Sequence, residues 1–311
     1  MREEAEVLAQ LSSWGRKNEW VRAAVLTSSR ANPLRETDWL SDYDVELYVT
    51  ELAPFRADDA WLRAFGRILV RWPLRPQETD FQEGWITRLV LFEDHVRIDF
   101  QITDRKTVPL GAYRDGYRIL IDKDGLLAAL PPATHDAFQI RRPSQEQYSD
   151  RVNAFWWDAA YVPKHLWRDE LPFAGQMARE LREGKLHPMM EWWIGVRSGW
   201  AVNTGLGGRW FKRFLDPGTW SAYEATFATA QLDDQWRGFF ATVDLFSRLA
   251  RDVGMRLRYP YPFEVEEKAL TFFREIQRTK RPAGQDDGGR STIGGRDCRE
   301  PREDERDALP G

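Results

Sequence analysis

Residues 21–33 read VRAAVLTSSRANP and, after a short insertion, residues 42–50 read DYDVELYVT. The first stretch is an apolar run suited to a buried strand, and it ends in two serines and an arginine. The second opens on two carboxylates one residue apart and then alternates. Val45, Leu47 and Val49 lie on one face, with Asp44, Glu46 and Tyr48 on the other. A strand that ends in small hydroxyl residues and turns leaves backbone N–H groups free. With the hydroxyls of Ser28 and Ser29 and the guanidinium of Arg30, these are donors for phosphate oxygens. Asp42 and Asp44, two residues apart at the head of a strand, point the same way. Alone, such a pair is ordinary turn chemistry; next to the Ser-Ser turn it raises the question of phosphate and metal.

Working outward, MREEAEVLAQLSSWGRK places Val7, Leu8, Leu11 and Trp14 at helical spacing. DDAWLRAFGRILV, residues 58–70, reads as a helix opened by acidic residues. WITRLVLF (85–92) and VRIDFQI (96–102) read as a hairpin around Glu93, Asp94 and His95, and YRILID (117–122) as a last strand. Asp99 lies on the polar face of the second hairpin strand. If that strand neighbours 44–50, three carboxylates converge, each pair repelling by roughly 4 kcal/mol at about 4 Å and an effective dielectric near 20. Cations relieve such a cluster. Mg²⁺ takes carboxylate and phosphate oxygens together, and two ions can clamp a phosphoryl displacement.

Pro131-Pro132 and Arg141-Arg142-Pro143 mark a linker. Beyond it the pattern is helical over 145–162, 170–183, 187–203, 219–230, 234–254 and 264–278, with Ser144 and Gln147 at capping-box positions. GLGG (205–208) follows a helical pattern, so it is a loop and not a dinucleotide fingerprint. Residues 279–311 are rich in Gly, Pro and charge and poor in apolar residues, the composition of a disordered tail. The expected fold is therefore α+β (α/β in its first part). A small mixed β-sheet flanked by helices occupies 1–135, an all-α helical domain 144–278, and a tail 279–311.

Composition narrows the function. Net charge is -4, which offers no field for nucleic acid or an anionic membrane surface. Cys298 is the single cysteine, so a disulfide framework and a multi-thiolate zinc site are both excluded within one chain. His95, His135, His165 and His187 show no paired ligand spacing and read as structural or exposed. Neither a signal peptide nor an apolar run of membrane-spanning length is present, so a cytoplasmic protein without a membrane partner is expected.

The joint pattern of Ser-Ser, short insertion, Asp-x-Asp strand and Asp on a further strand resembles the nucleotidyltransferase superfamily. Within it, the chain is similar to the aminoglycoside 6-adenylyltransferases over residues 1 to about 278. TSSRANP (27–33), DYD (42–44) and RID (97–99) carry the nucleotide site of that resemblance. FWW (155–157), YVPKHLWRDE (161–170), MEWWIG (190–195) and KRFL (212–215) lie outside the generic signature. The resemblance implies a nucleotidyltransferase domain followed by a helical substrate-binding domain. It implies transfer of AMP from Mg-ATP to the 6-hydroxyl of streptomycin with release of pyrophosphate, and hence antibiotic resistance. Asp42, Asp44 and Asp99 would be catalytic and would hold two Mg²⁺ ions. Ser28, Ser29, Arg30 and Lys164 would bind nucleotide phosphates. Glu170 and Glu191 would receive the guanidinium groups of streptomycin between walls of Trp157, Trp167 and Trp193. Two alternatives stay open: another acceptor, which the same three aspartates would serve, and, because the family glycine is Ser28 here, a relative that binds nucleotide without catalysis.

Overall fold

The structure, a computed structural model, describes residues 2–75 and 84–280. The expected tail lies outside them apart from Thr279 and Lys280. By its contacts the chain divides into two units, Met1–Arg141 with Ser198–Trp210, and Arg142–Arg197 with Phe211–Gly311.

The first unit is built on a mixed sheet. Its strands are β1 (Val21–Thr27), β2 (Tyr43–Val49), β3 (Ile68–Trp72), β4 (Ile86–Phe92), β5 (Arg97–Thr103) and β6 (Arg118–Asp122), in the order β3-β4-β5-β2-β1-β6. The β2–β5 pair is parallel and the other pairs are antiparallel. Helix α1 (Glu4–Lys17) has Glu4 and Glu6 in its first turn and Arg16 and Lys17 in its last, the arrangement its dipole favours. It buries Val7, Leu8 and Leu11 against the face of the sheet that carries Tyr43, Val45, Leu47, Ile98 and Phe100. The opposite face carries Tyr48 with Ala23 and Val25, covered by Tyr113 and Leu127. Period-2 alternation therefore puts Asp44 and Asp99 on the face away from α1.

The helix expected over 58–70 does not form. Short helix α2 (Ala53–Ala57) precedes a 3-10 segment, Ala60–Phe65, and Ile68–Trp72 becomes edge strand β3. Gly66, at φ 139°, turns the chain between them, and Ile-Leu-Val-Arg-Trp suits a pleated strand. Asp59 does not cap a helix. Its oxygens accept from Arg88 Nε at 2.7 Å and Arg71 Nη1 at 2.5 Å, an ion trio that fastens this segment to β3 and β4. The stretch Ser198–Trp210 belongs to this unit, joined by a bridge between Gln139 and Asn203 and by the Ile140 N–H donating to Val202 O at 3.1 Å. The helix expected over 187–203 accordingly ends at Ser198.

The second unit is helical: α3 (Gln145–Ala159), α4 (Tyr161–Trp167), α5 (Leu171–Leu181), α6 (His187–Ser198), α7 (Phe211–Phe214), α8 (Pro217–Glu224), α9 (Leu232–Leu257) and α10 (Phe263–Arg278). Ser144 and Gln147 form the expected capping box. A π turn, Arg182–Leu186, joins α5 to α6. Along α9, Trp236, Phe239, Val243, Phe246, Ala250 and Val253 are buried at helical spacing. Phe246 stacks on Phe155 of α3 with ring centroids 3.5 Å apart. Among the described residues no helix is long and apolar enough to cross a membrane.

Candidate active site

The sheet register assembles the acidic cluster. In the parallel β2–β5 ladder Asp44 stands directly opposite Asp99, and across β1–β2 Thr27 stands opposite Asp44. The residue before β1's turn and both acidic stretches are thereby brought to one place. One carboxylate oxygen from each of Asp42, Asp44 and Asp99 lies within 4.8 Å of the others. Asp99 is 9% exposed, and Asp42 and Asp44 are half-buried. Burial, with the charges of Asp42 and Asp99, pushes Asp44 up to about 6. Three hard oxygen donors this close, one of them destabilised as an anion, match the coordination chemistry of Mg²⁺.

The Ser-Ser turn is a short 3-10 segment, Ser28–Ala31. Ser28 has φ 57°, the left-handed region where glycine is the easy occupant. Serine therefore keeps the glycine-like backbone geometry, with a side chain on it. Its hydroxyl holds the Asp44 carboxyl down, which partly opposes the upward push of burial. The turn is held from behind at Gly116, where a Cβ would stand 2.7 Å from the Ala31 carbonyl oxygen. Buried Asn32 donates to Asp115 at 3.2 Å, which ties the same loop to the segment before β6.

Arg30, expected at a phosphate, is engaged here by groups of the protein itself. Its Nε donates to the carbonyl oxygens of Ser41 and Asp42 at 3.2 and 3.1 Å, and its Nη2 to those of Ser41 and Asp38 at 2.7 and 3.2 Å. Nη1 pairs with Glu4 of α1 at 2.7 Å, and the guanidinium lies 4.0 Å from the Tyr43 ring centroid. A side chain 8% exposed and so engaged is a clamp on the loop that presents Asp42.

Two groups on the same face were not singled out from sequence. Arg97, two residues before Asp99, donates through Nε and Nη2 to both oxygens of that carboxylate at 2.9 and 2.6 Å, and its Nε lies 3.8 Å from Asp42. Glu46, two residues beyond Asp44, accepts from the Tyr113 hydroxyl at 2.5 Å and the Tyr48 hydroxyl at 3.4 Å, and burial pushes its carboxyl up. The signal for both was available: each sits at i±2 from a triad aspartate on an alternating strand.

In the helical unit the expected substrate residues divide. Trp157, Trp167 and Lys164 line one cleft of about 580 Å³, together with Tyr161, Phe272 and Glu275. Lys164 Nζ stands 4.7 Å from the Tyr161 ring centroid, and Trp167 Nε1 donates to Thr279 O at 2.7 Å. Glu170, Glu191 and Trp193 do not line it. Glu170 pairs with the imidazole of His165. Glu191 lies on α6, where its charge acts on Arg151. Trp193 is 5% exposed, with the Arg197 guanidinium 4.0 Å from its ring, so it packs rather than offering a wall. Glu275, an acid at the aromatic cleft, escaped the sequence reading because it sits on an ordinary amphipathic helix.

Comparison with known proteins gives the family. A family model described as streptomycin adenylyltransferase matches residues 1–276. A protein of Bacillus subtilis (strain 168) named aminoglycoside 6-adenylyltransferase is 29% identical over 269 residues, covering 84% of this chain and 94% of its own length. One of the same name from Campylobacter jejuni is 27% identical over 289 residues, covering 92% and 99%. Among solved structures, an aminoglycoside 6-adenyltransferase from Bacillus subtilis aligns at 22% identity with a TM-score of 0.44, covering 90% of this chain and 100% of that one.

Proposed function

Because the chain belongs to the streptomycin adenylyltransferase family, we propose that it transfers the adenylyl group of ATP to a hydroxyl of an aminoglycoside, with pyrophosphate leaving. The acceptor is streptomycin, at its 6-hydroxyl, and the consequence is resistance to that drug. Support comes from one observation above the others: three carboxylates from separate places in the chain meet on one sheet face beside a Ser-Ser turn.

Asp42, Asp44 and Asp99 would hold Mg²⁺. Bound there, the metal would neutralise triphosphate charge and would make a coordinated oxygen more acidic. The rest is the work of the chain. The strained turn at Ser28 and Ser29 presents backbone N–H groups to phosphate oxygens, and the Ser28 hydroxyl favours the charged form of Asp44. Asp99, the most buried of the three, is the candidate to take the acceptor's proton. Arg30 holds the 38–42 loop in register with β2. In the helical unit, the cleft bounded by Trp157, Tyr161, Trp167 and Phe272 offers aromatic faces, with Glu275 as a carboxylate for a cationic ligand and Lys164 for a phosphate. Glu170 and Glu191 remain further carboxylates for the guanidinium groups of streptomycin.

The test is direct. Incubation with ATP, MgCl₂ and streptomycin is expected to yield streptomycin heavier by one AMP residue in the mass spectrum, with stoichiometric pyrophosphate. Pyrophosphate release with streptomycin unmodified, or no turnover across a panel of aminoglycosides, would refute the assignment.

A further inference from the structure

We propose that Arg97 is the resident counter-cation of the acidic triad, and that a divalent ion must displace it to bind. The inference rests on the reading of the triad as a metal site and adds to it a competitor built into the chain.

Arg97 and Asp99 are two apart on β5, so their side chains leave the sheet on the same face. The guanidinium forks onto Asp99, one N–H to each oxygen, at 2.9 and 2.6 Å. That is the bidentate geometry in which arginine holds a carboxylate most specifically. The same Nε lies 3.8 Å from Asp42. The guanidinium therefore answers two of the three acids. An ion shared by the triad would need an Asp99 oxygen, and the fork now faces both of them. Guanidinium and metal thus compete for the same acceptor atoms.

The contact is built to be given up. The Arg97 side chain is 48% exposed, against 12% for Asp99, so solvent screens the pair and the head can swing outward without being buried elsewhere. One guanidinium against three carboxylates leaves the place net negative, so a divalent ion still gains by replacing it. Arg30, by contrast, is 8% exposed and held by several acceptors, and it has no such freedom. The site would fold with its acids partly neutralised and exchange that internal cation for the metal on loading.

The experiment compares full-length wild-type protein, Arg97→Gln and Asp44→Asn without nucleotide. Mn²⁺ binding is read from loss of the free-ion electron paramagnetic resonance signal, and urea stability is measured in EDTA and in saturating MgCl₂. The expected result is Mn²⁺ affinity on the order of tenfold tighter in Arg97→Gln than in wild type. Arg97→Gln should also be less stable than wild type in EDTA, with the deficit gone in MgCl₂. A purely structural arginine would give a deficit that persists in MgCl₂ and an affinity unchanged or weaker, and either result overturns the proposal while leaving the metal site intact. Wild type binding no more Mn²⁺ than Asp44→Asn would overturn the metal reading and this proposal together.

Discussion

At Ser28 the chain holds a left-handed backbone at a residue with a side chain, and its hydroxyl favours the charged form of Asp44. Left-handed φ costs a residue with a Cβ about 1–2 kcal/mol relative to glycine. The two effects separate in a pair of variants that both lack the hydroxyl. Ser28→Gly is expected to be more stable than Ser28→Ala by about 1 kcal/mol in urea denaturation; equal stabilities would mean that the turn relaxes out of the left-handed region. The three aspartates were legible at this scale because a carboxylate on an alternating strand declares both its chemistry and its face. The destination of Arg30 was not. Most of its partners are the carbonyl oxygens of residues 38, 41 and 42, which no side-chain pattern advertises.

At the scale of elements, the arrangement depends on the parallel pairing of β2 with β5 and on the loop that leads into β2. Arg30 joins that loop to Glu4 of α1 and to the Tyr43 ring. Arg30→Ala should lower stability by about 1–2 kcal/mol, because it leaves part-buried carbonyls of residues 41 and 42 and a half-buried carboxylate without a donor. Arg30→Lys should recover little of this, since an ammonium cannot fork across several acceptors. Thermal denaturation decides the matter: an arginine reserved for phosphate would leave the melting temperature unchanged and raise only the KM for ATP. Sequence period found β1, β2 and the β4–β5 hairpin, because apolar runs and alternation are local. It could not show that β5 returns beside β2, a non-consecutive pairing set by the whole sheet. It misread 58–70 because DDAWLRAF has a helix-like opening, while Gly66 and the β-branched residues after it respond to the edge of β4.

At the scale of the whole molecule, two units carry different groups: three carboxylates and a Ser-Ser turn on a sheet in one, and aromatic faces with Lys164 and Glu275 in a helical cleft of the other. The change from strand period to helix period near residue 144, with its capping box, was plain in the sequence. The return of Ser198–Trp210 to the first unit was not, since a short irregular segment paired by one bridge leaves no periodic trace. The central claim is that Asp42, Asp44 and Asp99 act as one metal-holding site for adenylyl transfer. It is tested most directly by pyrophosphate release with ATP, MgCl₂ and streptomycin in wild type and in Asp99→Asn, an isosteric change that removes one charge. The account predicts a fall in kcat/KM on the order of 10³-fold with the melting temperature preserved or raised. A variant retaining activity within about threefold of wild type would contradict it.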